Sequence, residues 1–217
     1  MKKRNDLFES YELLADRAGA AFQEMQKQYG ACMKCEPHCS DCCHAVFGLF
    51  LMEAAYLKEH FDRLADEEKR AALSRCKEAE KSLERLQNML QDHEGDPQIQ
   101  ASIMSRERIP CPLLNEHQEC ILYSHRPITC RVYGIPTKIQ GKARVCWKTE
   151  FKKDKRYPIF DLDGVYRDLY VLSAELLKTV GRDDPETSSL LISVSKAITT
   201  PLEDLLCQEL AGSAKAS

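Results

Sequence analysis

The chain has 217 residues, 43% of them hydrophobic and 30% charged, a balance that supports a folded core and excludes a largely disordered polymer. Its 31 basic and 34 acidic side chains leave a net charge of -3, which argues against a whole-surface polyanion binder. The longest apolar run, Ala45 to Met52, is too short to span a bilayer as a helix.

Met1-Lys2-Lys3-Arg4 is followed by no apolar stretch, so a cytoplasmic, reducing setting is expected. The first element is an amphipathic helix over 6–29, with Leu7, Tyr11, Leu14, Ala18, Ala21 and Met25 on one stripe, Asn5 as its cap and Gly30 as its stop. Cysteine-rich irregular chain follows from Cys32 to His44, and a second helix is expected from Leu49 to Leu64. Asp66 opens a long helix to His93. Its seam of Ala72, Cys76, Ala79, Leu83, Leu86 and Leu90 is short for a dimerising coiled coil and fits a helical hairpin within the domain. Gly95 breaks this helix, and Asp96-Pro97 can cap and start another.

Residues 109–160 are rich in proline and read as loops and short strands, with a hairpin formed by Thr137–Ile139 and Ala143–Val145. Helices are expected again over Val165–Val180, from Asp184-Pro185 to Ile198, and from Thr200-Pro201 to Ala211. The predicted fold is mainly α: one domain over 1–211, a cysteine-rich metal-binding region at 32–148 clamped between helices, a helical C-terminal part at 163–211, and a loose tail at 212–217.

Eleven cysteines dominate the chemistry. In a reducing compartment, clustered cysteines read as metal ligands before they read as disulfides. Cys32, Cys35, Cys39, Cys42 and Cys43 fall within twelve residues, at spacings that let the chain turn back on one metal. Cys42 and Cys43 are adjacent, so their side chains diverge. They serve two centres, or one binds and the other packs. Cys111, Cys120, Cys130 and Cys146 are too far apart for a knuckle and suit ligands arriving from separate loops. Cys76 and Cys207 lie in apolar helical rows and read as packed thiols. His38 and His44 lie beside the first cluster, where abundant thiols reduce the need for imidazole. His117 and His125 read as exposed loop residues.

The order Cys39-x2-Cys42-Cys43, Cys111 to Leu114, Cys120 through Arg126-Pro127 to Cys130-Arg131, and Cys146 resembles the CxxCxxCC-type cysteine-cluster family of zinc- or iron-chelating domains, over roughly 32–148. Cys35 and Cys39 are one residue further apart than that pattern favours, which leaves Cys32 and Cys35 as alternatives for the first ligand. The resemblance implies a metal centre without a fixed reaction. Flagellin lysine methylase carries a similar cysteine domain, so a metal-dependent enzyme, redox or protein-modifying, is the alternative to a metal-binding or scaffold protein. The Cys35-x3-Cys39-x2-Cys42 spacing also matches radical S-adenosylmethionine enzymes, but the chain lacks the alternating strands and helices of their barrel.

The expected ligands are Cys35, Cys39, Cys42, Cys43, Cys111, Cys120, Cys130 and Cys146, enough for two four-thiolate centres. Such a centre, whether zinc or an oxidised four-iron cluster, carries about two net negative charges. Arg126 and Arg131 are therefore expected to donate to its sulfurs. Soft thiolates suit zinc and iron–sulfur alike. Ligands spread over separate loops favour the larger iron–sulfur cluster, with zinc as the alternative. Residues 138–156 carry eight basic and two acidic residues, with Trp147 and Phe151 interleaved. So few aromatics argue against nucleic acid and fit compensation of an anionic centre or a protein partner. No Gly-rich phosphate loop or nucleophile–base motif is present, and a catalytic set is not assigned.

Overall fold

A computed structural model describes residues 3–35, 38–152 and 154–207. The expected end of the last helix at Ala211 and the tail at 212–217 lie outside the described residues. The fold is mainly α, with nine helices and a three-stranded sheet among the described residues. No helix described is long and apolar enough to cross a membrane.

Helix α1 (Arg4–Tyr29) buries Leu7, Tyr11, Ala18 and Met25 of the predicted stripe together with Phe8 and Ala15 beside it, while Leu14 and Ala21 are half-buried. Its cap is Lys3 and not Asn5: the Lys3 amide donates to the Asp6 carboxylate at 3.0 Å, which moves the start ahead of Asn5. Gly30 does not end the turn abruptly but opens a short 3-10 turn, Gly30–Cys32. Helix α2 (Leu51–Asp62) is buried on nearly every face and packs against α1 and the C-terminal helices. It begins two residues later than expected because Leu49 exchanges both backbone hydrogen bonds with Ile192, at 2.8 Å each.

Helix α3 (Asp66–Gln91) sets Ala72 and Cys76 into the main core. Its far half, through Ala79 and Leu86, forms a second small core with Ile109 and Ile103. Helix α4 (Pro97–Arg106) folds back against α3. Asp96 caps it through the Gln98 and Ile99 amides at 3.1 and 3.0 Å.

Helix α5 (Ile128–Val132) was not apparent in the proline-rich stretch. The hairpin forms from β1 (Thr137–Ile139) and β2 (Lys142–Arg144), one residue earlier on its second arm. Gln140 and Gly141 both have positive φ, 52° and 70°, as a two-residue hairpin turn requires. A third strand, β3 (Phe160–Asp161), pairs with β1 in parallel and leads into α6 (Leu162–Lys178).

The helix expected from Asp184 to Ile198 is two helices, α7 (Pro185–Ser189) and α8 (Val194–Thr199). The extended link between them pairs Ile192 with Leu49, and this tertiary bond overrides helical continuity. Helix α9 (Leu202–Cys207) buries Leu202, Leu205 and Leu206. That face leaves Cys207 exposed, contrary to the packed thiol expected. Cys76 is buried, 2% exposed.

Candidate metal centre

The first cysteine cluster sits on a four-residue 3-10 turn, Asp41–His44, closed by the Cys43 amide on the Ser40 carbonyl at 2.9 Å. Such a turn advances about 120° per residue, so the side chains of Asp41, Cys42 and Cys43 leave in three directions. The Cys111 amide donates to the Cys43 carbonyl at 2.7 Å, and the Ile109 amide to that of His44 at 3.1 Å. This pairing carries Cys111 alongside Cys43.

Cys111 and Cys120 were expected on separate loops. They occupy the two arms of one short loop, joined by an antiparallel bridge between Leu114 and Cys120. Asn115 holds its tip by accepting from the His117 and Glu119 amides at 3.0 and 2.9 Å. Cys130 rides on α5, whose first amide, Ile128, donates to Glu53 Oε1 at 3.0 Å. Cys146 lies on a turn after β2. Thr149 closes that turn through its hydroxyl on the Cys146 carbonyl at 2.7 Å, and the Glu150 amide docks it on the Cys32 carbonyl at 2.8 Å.

All eight predicted cysteines line one of two adjoining cavities. An inner, mostly apolar cavity of about 70 Å³ is walled by Cys42, Cys43, Cys111, Cys120 and Cys130, backed by Val46, Leu83, Ile109 and Leu113. A larger cleft of about 560 Å³ is faced by Cys35, Cys39 and Cys146, and reaches Cys42, Cys43, Cys120 and Cys130 from its other side. Of the two alternatives for the first position, Cys35 faces the cleft and Cys32 lines neither cavity. Gly134, at φ +100°, leaves room for the Cys35 sulfur, which a β-carbon there would strike. The Cys35 thiol donates to the Tyr133 carbonyl at 3.7 Å.

The thiols act strongly on one another. Cys42 is drawn down to about 7, first by its hydrogen bond to Cys43, against burial, with help from the Arg126 charge. Cys120 is lowered by its own bond to Cys43, which is itself pushed far up by both bonds and by burial. Burial pushes Cys111 up to about 12, and Cys130 is raised by burial and then by Cys42, Cys111 and Cys120. In the outer set, burial and then Cys39, Cys146 and Cys42 push Cys35 up to about 11. Thiols this close resist ionising together in the absence of a cation, and a bound metal ion supplies that cation. The donor set therefore fits a thiophilic metal. Among the described residues, no three His, Cys, Asp or Glu side chains form a finished ligand set.

Arg126 lines both cavities. Its guanidinium stacks over the Tyr123 ring at 3.8 Å and its charge favours the Cys42 and Cys120 thiolates. Arg131 faces the cleft but donates to the Arg126 and Ser124 carbonyls at 3.0 and 2.6 Å, bracing the loop between Cys120 and Cys130. His44 bonds the Ser40 carbonyl at 2.9 Å, and His38 contacts the His117 carbonyl at 3.3 Å. His125 is not exposed as expected: it stacks on His60 at 3.5 Å between ring centroids and bonds the Tyr56 hydroxyl at 3.2 Å.

Two acids escaped the sequence reading. Glu53 is 3% exposed and accepts from Ile128, Phe50 and Tyr11. Burial nonetheless pushes its carboxyl up to about 7. Its signal was a single charged residue inside the otherwise apolar run from Leu49 to Leu57, which marks a satisfied buried group. Asp41 is 8% exposed, and its carboxylate collects Tyr133, Cys146, Trp147, Arg108 and Lys148. Burial raises its pKa, but the Tyr133 and Cys146 hydrogen bonds and the Arg108 and Lys148 charges outweigh that and hold it below the usual carboxylate range. An acid set among four thiols in sequence was the available clue.

A family model of the CxxCxxCC type, described as a putative zinc- or iron-chelating domain, matches residues 31–147, more than half of the chain. No curated protein and no solved structure matches it.

Proposed function

The chain belongs to the CxxCxxCC family of zinc- or iron-chelating domains, and from that premise we propose that it holds two cysteine-ligated metal centres. The inner centre draws on Cys43, Cys111, Cys120 and Cys130, with Cys42 at its edge. The outer one draws on Cys35, Cys39 and Cys146. The observation that carries this reading is the convergence of all eight thiols, from segments about seventy residues apart in sequence, on two adjoining cavities.

Iron–sulfur is the favoured occupant of the inner centre. Its thiols approach from a 3-10 turn, a loop and a helix around a mostly apolar cavity, a setting of low polarity that tunes a cluster. Zinc remains the alternative. A bound centre would supply redox or Lewis-acid chemistry. Arg126 would offset its negative charge, Arg131 would brace the loop bearing two ligands, and Glu53 would fix α5 and so Cys130. The setting is cytoplasmic. The basic stretch serves local compensation or a protein partner more than nucleic acid, because Lys138 pairs with Asp161 at 2.8 Å and Lys148 lies 3.6 Å from Asp41. The volume of the cleft, about 560 Å³, favours one second reading, a metal-dependent enzyme whose substrate enters beside the outer thiols.

The test is metal stoichiometry in cysteine variants. Cys130→Ser should lose the inner metal and lower the melting temperature by on the order of 10 °C, as loss of a bound ligand predicts. Cys76→Ser should keep full metal. Full stoichiometry in Cys130→Ser would overturn the ligand assignment.

A further inference from the structure

The two centres proposed above are unequal in sulfur. Five thiols wall the inner cavity, while Cys35, Cys39 and Cys146 are left for the outer centre, one donor short of a tetrahedron. Cys42 borders both cavities, but its thiol is hydrogen-bonded to Cys43, which turns it toward the inner set. The residue before it on the 3-10 turn, Asp41, faces the cleft. We propose that Asp41 is an oxygen ligand of the outer centre, completing with Cys35, Cys39 and Cys146 a set of three thiolates and one carboxylate.

The geometry supports this directly. Asp41 Oδ2 lies 3.4 Å from the Cys146 sulfur. Two ligands on one tetrahedral zinc, with Zn–O near 2.0–2.2 Å and Zn–S near 2.3 Å, would sit about 3.5 Å apart. The carboxylate is also oriented as ligating carboxylates are. The Tyr133 hydroxyl donates to Oδ2 at 2.9 Å and the Trp147 indole N–H to Oδ1 at 3.3 Å. The alternative, that Asp41 is only an ion-pair hub, is weakened by its cations: Arg108 and Lys148 stand at 3.9 and 3.6 Å and are both about one-third exposed. The oxygen makes the outer centre harder and more exchangeable than the inner one. It also ties metal binding to Trp147, the sole tryptophan of the chain.

The inference rests on the two-centre reading, and one experiment separates the two. The full chain, freed of metal without oxygen, is titrated with Co²⁺ while sulfur-to-cobalt charge-transfer absorbance and Trp147 fluorescence are followed. Wild type should bind in two phases, and the weaker should carry the intensity of three thiolates and change the fluorescence. Cys146→Ser should abolish that phase, and Asp41→Asn should weaken it at least tenfold, both leaving the inner phase intact. If Cys146→Ser titrates as wild type, the outer centre itself is wrong and the inference falls with it. If Cys146→Ser loses the phase but Asp41→Asn keeps wild-type affinity, the two-centre reading stands and Asp41 is not a ligand. Should Asp41→Asn fail to fold, the wild-type intensity decides: three thiolates on the weaker cobalt support the inference, and four overturn it.

Discussion

The inner and outer thiol groups are built from different kinds of support. Around the inner cavity, backbone hydrogen bonds join the Cys43 turn to the Cys111 segment, and a buried carboxylate pins the helix that bears Cys130. Around the outer cleft, Cys146 is held by a surface turn, and that turn docks on the Cys32 segment through one backbone bond and the Lys34–Glu150 ion pair. Both members of that pair are well exposed, and such pairs contribute little. The segments bearing the inner group are thus anchored by core packing, whereas the outer group is held by elements able to open locally. On the two-centre proposal, the first region would retain its metal and the second would exchange it.

The largest expected contrast is in metal release. With excess chelator, the outer metal should be removed completely while the inner one remains, as followed by metal analysis after gel filtration. Release in a single phase would erase the distinction. Next in size is Glu53→Ala, which strands the Ile128 and Phe50 amides in the core. We expect a loss of about 2 kcal/mol of stability and accelerated release from the inner centre alone, measured by denaturant titration and chelator kinetics.

The pH dependence isolates the same carboxyl. Glu53 is raised from 4.5 to about 7 on folding, so its contribution to stability is full below pH 4.5 and is lost as the pH rises through 7. The loss is at most roughly 3 kcal/mol. Between these limits, wild-type stability should fall with pH more steeply than that of Glu53→Gln, and equal slopes would contradict the burial argument. The smallest effect belongs to Cys207→Ser. Metal content and melting temperature should both stay unchanged, because that thiol is exposed and remote from both cavities.

Much of the scaffold was legible because it is locally specified. The stripe of α1, the seam of α3 and the Asp96-Pro97 start of α4 follow from periodicity and capping alone. Elements set by distant partners were not legible. The break between α7 and α8 depends on Leu49, some 140 residues away in sequence, and α5 is a five-residue helix nucleated on Glu53. The same division runs through the candidate site. The cysteines announced themselves by spacing, but the sorting of thiols into an inner and an outer group did not. Nor did the roles of Asp41 and Glu53, which arise only when Tyr133, Trp147 and Ile128 are brought to them by the fold.

The measurement closest to the central claim is the absorption spectrum of the anaerobically purified chain, read together with its iron, zinc and acid-labile sulfide content. The account predicts a brown protein with broad absorbance near ~400 nm that bleaches on reduction, and with iron and sulfide in comparable amounts. A colourless preparation carrying stoichiometric zinc and no sulfide would contradict the iron–sulfur assignment, and one with no metal at all would contradict the metal-centre reading itself.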